Sequence, residues 1–122
     1  MPVFEEYAKI ALAIGTCQGG VDGRKKLQKM IHIAEALGYP LEEYFTLHLY
    51  GPYSQELAAD VQRMKEMDIV TEREMDKYYT IRLTENGKEF LKRFQKNIKE
   101  DLGTEKFNKM KNLFRKLSFY DS

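Results

Sequence analysis

The sequence predicts a single soluble domain that is mainly α with a small antiparallel β-sheet. Apolar residues recur at helical spacing in five stretches, and one short stretch after Pro40 alternates in polarity. Two strand-like runs flank a charged turn between positions 69 and 83. The chain has 122 residues, of which 43% are hydrophobic, so it is long enough to bury one self-sufficient core.

Charge is balanced over the whole chain and unbalanced within it. There are 20 Lys and Arg against 19 Asp and Glu, a formal net charge of +1. Residues 1–85 carry 10 basic and 14 acidic side chains, a net charge of −4, whereas residues 86–122 carry 10 and 5, a net charge of +5. This distribution excludes a uniformly basic nucleic-acid-binding domain and predicts an acidic body with a basic tail.

Targeting and redox signals predict a cytoplasmic protein that does not contact membranes. Glu5 and Glu6 stand where a secretory signal would be positively charged, and the longest uncharged apolar run is Ile10 to Gly15. The single cysteine, Cys17, cannot form an internal disulfide.

The first third of the chain reads as two helices joined by a glycine-rich loop. Helical spacing predicts a first helix from Val3 to about Cys17, which stops at Gly19 and Gly20. The loop from Gly19 to Gly23 allows positive φ angles, and a second helix runs from Arg24 to Leu37. Gly38 is its predicted C-terminal stop.

A short strand and a turn are predicted before the third helix. Phe45, Leu47 and Leu49 alternate with polar residues, which predicts a half-buried strand. The turn then consists of five residues that end the strand and cap the next helix: Tyr50, Gly51, Pro52, Tyr53 and Ser54. The third helix closes near Met67.

A hairpin and two further helices complete the predicted elements. The strands of the hairpin are Ile69 to Thr71 and Tyr78 to Leu83, with a polar tip from Glu72 to Lys77. Thr84 is a predicted cap for the fourth helix, which Gly103 separates from the fifth.

This order of elements is that of a winged helix-turn-helix with an added C-terminal helical pair. Residues 1–85 form the predicted winged-helix core and residues 86–122 the helical extension, within one domain. In such a fold the third helix can enter a major groove while the hairpin reaches neighbouring phosphates. The segment from Thr80 to Lys88 also resembles the "TLTENGKEF" style of exit from a wing that many winged-helix regulators share.

Two motifs resemble a narrower family. Residues 23–29 read GRKKLQK and residues 50–57 read YGPYSQEL, and both are similar to motifs of the YwgA-like uncharacterised proteins of bacteria and archaea. The resemblance covers about residues 1–95 and implies a winged-helix fold, but it implies little about activity.

A more distant likeness is to Panacea-type antitoxin domains, which join a "KLQKLLY" helix to a "YGP" turn. This sequence departs from that pattern at His32 and Ile33, where the pattern is more aromatic, and at Tyr53, where a small or branched residue is usual.

Candidate DNA-binding residues follow from position and chemistry. Four positive charges open the second helix and are candidates for phosphate contact: Arg24, Lys25, Lys26 and Lys29. Gln55, Gln62 and Arg63 lie off the apolar stripe of the third helix and are candidates to face bases. Arg73 and Lys77 in the hairpin could track a backbone, although neighbouring acids favour a solubilising turn.

Two alternatives remain open at this point. The third helix also carries Glu56, Asp60 and Glu66, which phosphate would repel, so a plain solvated face is an equal interpretation. The apolar residues of the C-terminal helices could form a homodimer interface or complete a monomeric core: Phe90, Phe94, Ile98, Phe107, Phe114 and Leu117.

The residues do not form a catalytic set, a metal site or a cofactor motif. Cys17, His32 and His48 are the only soft ligands and do not have the paired spacing of a zinc site. No enzyme activity and no cofactor are therefore expected. We expect a cytoplasmic regulator of transcription that binds double-stranded DNA. The alternative is a protein-interaction module, antitoxin-like or adaptor-like, on the same scaffold without nucleic acid.

Overall fold

The structure, a computed structural model, describes residues 2–49, 51–75 and 78–120. Its helices and strands are, in chain order, α1 Pro2–Thr16, β1 Val21–Asp22, α2 Arg24–Ala36, β2 Thr46–His48, β3 Gly51–Tyr53, α3 Gln55–Glu66, β4 Val70–Met75, β5 Tyr78–Leu83, α4 Glu85–Leu102 and α5 Thr104–Leu117. The predicted class is confirmed, since the chain is mainly helical with a small antiparallel sheet.

The three-stranded sheet has the order β1-β5-β4 and is antiparallel throughout. Its edge strand β1 pairs Val21 with Ile81, in a segment that the sequence predicted to be only a loop. That prediction was wrong because two residues are too short to show alternation and glycines flank them. A side chain at Gly20 would overlap the carbonyl oxygen of Ile81, so glycine permits this close pairing.

The strand predicted after Pro40 forms a separate two-stranded hairpin. β2 pairs with β3, with Leu47 opposite Pro52, and neither strand joins the larger sheet. The prediction that Gly51 and Pro52 end the strand was therefore wrong: both lie in β3, where a free edge tolerates proline. The predicted half-burial was also wrong, because Leu47 and Leu49 are 89% and 90% exposed.

The predicted caps and stops are confirmed. Ser54 accepts a hydrogen bond from the Leu57 amide at 3.0 Å, and Thr84 accepts one from the Gly87 amide at 2.8 Å. Gly38 and Gly103 have φ angles of 101° and 85°, which end α2 and separate α4 from α5.

The core is centred on α1, which packs against α4 and α5. Phe114 of α5 is fully buried, and its ring meets Tyr39 edge to face at 5.1 Å between centroids. Phe107 and Ile98 are also buried. Both C-terminal helices pack on the core, but Phe90, Phe94 and Leu117 are only partly buried. A homodimer through these helices therefore stays a prediction.

Candidate nucleic-acid interface

Glu72 of β4 joins the start of α2 to the end of α3. It accepts two hydrogen bonds from Arg24, from Nε at 2.6 Å and from Nη2 at 2.5 Å, and one from Lys65 Nζ at 2.8 Å. Only 8% of the Glu72 side chain is exposed. The hydrogen bonds from Arg24 lower the pKa of Glu72 to about 2, with Lys65 adding to the effect. The carboxylate therefore stays ionised and holds three elements together.

This arrangement corrects the predicted hairpin tip. β4 continues to Met75, so Glu72 and Arg73 lie within the strand rather than in a turn. Successive strand residues point to opposite faces, so Arg73 lies on the face away from Glu72 and Arg24. Lys77, the other hairpin candidate, lies outside the described residues.

The basic residues at the start of α2 differ in their exposure to solvent. Lys25, Lys29 and His32 follow one ridge on the outer side, where Lys25 and His32 are exposed. Lys26 lies beside this ridge, is only 9% exposed, and donates to the carbonyl oxygen of Ser118 at 2.9 Å. The prediction that Lys26 contacts phosphate is therefore withdrawn, because its ammonium group already holds the end of α5.

The outer ridge of α3 is largely uncharged. Gln55 and Gln62 are both exposed and seven residues apart, which places them on one face. Gln62 donates weakly to Glu66 at 3.4 Å. Arg63 lies to one side of this ridge, where it pairs with Asp60 at 3.4 Å. The structure thus keeps the two glutamines together and separates Arg63 from them.

An acidic cavity of about 510 Å³ borders α3 on the side that faces Arg63. Carboxylates from α1, from the segment before β2 and from α3 line it: Glu6, Glu42, Glu43, Glu56 and Asp60. Burial, and then the hydrogen bond with Asp60, raise the pKa of Glu43 to about 8. The sequence showed the acids of α3 but not this cluster, because Glu6 and Glu43 come from distant segments. This flank of α3 would repel phosphate.

Gln28 links the two sequence motifs and is a polar side chain that α2 buries. Its side-chain amide is buried and pairs twice with the backbone of Ser54: Nε2 donates to the carbonyl at 3.0 Å and Oε1 accepts from the amide at 2.7 Å. The predicted turn residues Gly51, Pro52 and Tyr53 form β3, and Tyr50 lies outside the described residues. The GRKKLQK helix and the YGPYS turn are therefore one structural unit.

The thiol of Cys17 is buried and hydrogen-bonded to backbone carbonyl groups. Its Sγ donates to the carbonyl oxygens of Ala13 at 3.3 Å and Phe114 at 3.6 Å, and burial raises its pKa. A reactive cysteine needs the opposite shift. Within residues 2–49, 51–75 and 78–120, no group of three His, Cys, Asp or Glu side chains is placed to hold a metal ion. The same ranges contain no helix that is long and apolar enough to cross a membrane.

An apolar surface lies on the β2–β3 hairpin and the residues before it. Leu47, Leu49 and Tyr44 are 89%, 90% and 72% exposed. Phe45 turns back toward the body, where its ring lies 4.8 Å from that of His32. Three neighbouring large apolar side chains in solvent are typical of a contact surface.

Comparison with known proteins supports the predicted likeness to YwgA-like proteins. Over 93 residues, which make up 73% of this chain, the sequence is 37% identical to the uncharacterised protein YwgA of Bacillus subtilis strain 168. The match covers 55% of that relative, so the chain spans about half of its length. No family model and no solved structure matches the chain.

Proposed function

We propose that this chain is a winged-helix protein that binds double-stranded DNA and regulates transcription in the cytoplasm. The sheet order supports the winged helix: a strand after the first helix pairs with the outgoing strand of a hairpin that follows the third helix. In the proposed fold α3 is the second helix of the helix-turn-helix and the β4–β5 hairpin is the wing.

The single observation that carries the proposal is the bridge through Glu72. It brings the basic start of α2, the end of α3 and the wing strand to one surface, as a duplex contact requires. Arg24 keeps 59% of its side chain exposed beside this bridge. In the proposed complex Arg24, Lys25 and Lys29 lie along phosphates.

Base contact falls to the outer ridge of α3. Gln55 and Gln62 have the amide groups that can pair with adenine. The acidic cavity limits the docking, because a duplex must approach α3 from the side of Glu72 and stay clear of Glu56 and Asp60.

The test is a fluorescence anisotropy titration of the full chain on duplex DNA fragments at about 50 and 200 mM salt. We expect binding that weakens steeply with salt. Lys25→Glu should weaken it on every fragment and reduce the salt slope by about one or more. The matched control is Lys99→Glu, an exposed lysine near the end of α4, which should leave binding unchanged.

Absence of binding at both salt concentrations would refute the proposal. Equal weakening by Lys25→Glu and Lys99→Glu would refute the assigned surface, because it would show attraction to net charge alone.

The second candidate function is a protein-interaction module, and the exposed hairpin favours it. Leu47 and Leu49 on β2 and the turn after it are almost fully in solvent, and the acidic flank of α3 suits a basic protein partner better than DNA. This candidate predicts recovery of a specific partner from nuclease-treated extract. Leu47→Ser with Leu49→Ser should abolish that recovery while leaving DNA binding intact, and recovery unaffected by the double variant would count against it.

A further inference from the structure

A groove with a cavity volume of about 690 Å³ lies on the face of the sheet away from Glu72. The end of α1, the loop after it, the strands β4 and β5 and the first turns of α4 form its walls. Four cationic side chains line it against one carboxylate, Glu85: Arg73, Arg82, Lys88 and Lys92. Ile14, Leu83 and Leu91 add an apolar wall.

Arg82 is the most deeply placed of these cations. The strand register sets it opposite Thr71, and its Cγ would lie 2.8 Å from a Cβ at position 20, so Gly20 leaves room for its stem. Its Nε is buried and has no hydrogen-bond partner in the described part of the chain. A buried N–H without a partner is costly, and a small shift of the guanidinium toward the groove would let it donate to an external oxygen.

Arg73 is also unengaged within the described residues, where it forms no ion pair or hydrogen bond. Arg24 and Arg63, by contrast, are paired with Glu72 and Asp60. The chain therefore neutralises the arginines around α3 but not the two that share this groove.

Lys88 and Lys92 lie on successive turns of α4 and complete the positive lining of the groove. Lys88 lies 2.9 Å from Glu85 and Lys92 lies 3.9 Å from Glu89, and all four side chains are well exposed. Exposed pairs of this kind contribute little, so both ammonium groups can turn to a stronger anion.

We propose that this groove binds a small phosphate-bearing molecule of nucleotide size. A guanidinium group can donate two parallel hydrogen bonds to two oxygens of one phosphate, and the lysines add positive charge beside it. The apolar wall suits a ring or a chain attached to the phosphate. The volume of about 690 Å³ is that of a small-molecule site and suits a free ligand better than a duplex. The site does not depend on DNA binding, because it lies on the other face of β4 from Arg24.

The experiment is a fluorescence titration of the full chain with N-methylanthraniloyl-ATP at physiological salt. We expect saturable binding that inorganic pyrophosphate displaces. Arg82→Gln and Lys92→Gln should each weaken binding by about tenfold, since each removes a charged hydrogen-bond donor. Lys99→Gln, further along α4 and outside the groove lining, is the matched control and should change binding less than about twofold.

Circular dichroism shows whether each variant folds, and Lys92→Gln decides the result if Arg82→Gln does not fold. Failure to saturate, or equal binding by wild type, Arg82→Gln and Lys92→Gln, would overturn the proposal. Displacement of the nucleotide by duplex DNA from the wild type, together with loss of DNA binding in Lys92→Gln, would also overturn it, because the phosphate would then be that of a DNA backbone. DNA binding that fails while the nucleotide still binds would refute only the proposed function.

Discussion

Gln28 is the residue through which α2 holds the turn before α3. Its side-chain amide is the partner of the Ser54 backbone N–H and a second donor to the Ser54 carbonyl, which also accepts from the Ala58 amide. Ser54 is itself fully buried and caps α3. Because buried amide and carbonyl groups must be paired, this one side chain fixes the relative position of the two helices.

Replacing Gln28 with alanine leaves the Ser54 amide without a partner and removes one of the two hydrogen bonds to the Ser54 carbonyl, which still accepts from the Ala58 amide. We expect the free energy of unfolding to fall by about 1–3 kcal/mol, the cost of one unsatisfied buried amide. Urea denaturation measures this change. Gln62→Ala, on the exposed ridge of α3, should change it by less than about 0.5 kcal/mol. Equal effects of the two substitutions would contradict the role of Gln28.

Gly87 makes a similar contribution through the absence of a side chain. A Cβ at this position would overlap the carbonyl oxygen of Ile69, which accepts a backbone hydrogen bond from Thr84. Gly87→Ala should destabilise the fold by about 3 kcal/mol or more, because backbone must move. Gly15→Ala meets only side-chain atoms of Leu83 and Leu91 and should cost less. Thermal denaturation of both variants checks the order, and a larger loss for Gly15→Ala would contradict it.

At the scale of elements, two carboxylates connect the helices and respond to pH in opposite ways. Glu72 holds α2 and α3 to β4 as an ionised group, whereas Glu43 lies in the acidic cavity between α1 and α3 as a group that favours its protonated form. Stability should therefore fall on both sides of a maximum in mild acid.

The acid side of this profile belongs to Glu72. Its pKa is about 2 in the fold against an ordinary value of 4.5, so its contribution is present above about pH 4.5 and is lost as the pH falls toward 2. Glu72→Gln should cost about 1–2 kcal/mol at pH 7, a value limited by the exposure of Arg24. Urea denaturation from pH 2.5 to 7 should show a shallower acid loss in the variant. A parallel loss would contradict the assignment.

The alkaline side belongs to Glu43. Its pKa is raised to about 8, so the folded chain keeps a proton that the unfolded chain releases above its ordinary value of 4.5. Stability from this group is present below about pH 4.5 and is lost as the pH rises toward 8. Glu43→Gln should flatten the decline in the free energy of unfolding between pH 5 and 8.5. Glu100→Gln on the exposed face of α4 should not, and an unchanged slope in Glu43→Gln would refute the assignment.

At the scale of the whole molecule, local signals in the sequence predicted the elements well. Helical periodicity and side-chain caps such as Ser54 and Thr84 are properties of neighbouring residues, and they are confirmed. The errors arose where distant residues decide the outcome. Val21 becomes a strand only because Ile81 pairs with it, and Leu47 alternates like a buried strand residue but is 89% exposed.

The candidate site was predicted less completely for the same reason. Four positive charges near the start of α2 are visible in the sequence, but the burial of Lys26 depends on the carbonyl of Ser118, 92 residues away. The acidic cavity likewise joins Glu6 to Asp60, and the basic groove joins Arg73 to Lys88. Charge counts by region do not predict which charges a fold brings together.

Chemical-shift mapping of the ¹⁵N-labelled chain with a duplex of about 20 base pairs at low salt tests the central claim most directly, since two helical turns can hold the proposed contact. We expect the largest amide shifts at the start of α2, along α3 from Gln55 to Gln62 and near Glu72. Shifts confined to the β2–β3 hairpin or to α5, or the absence of any shift, would contradict the claim.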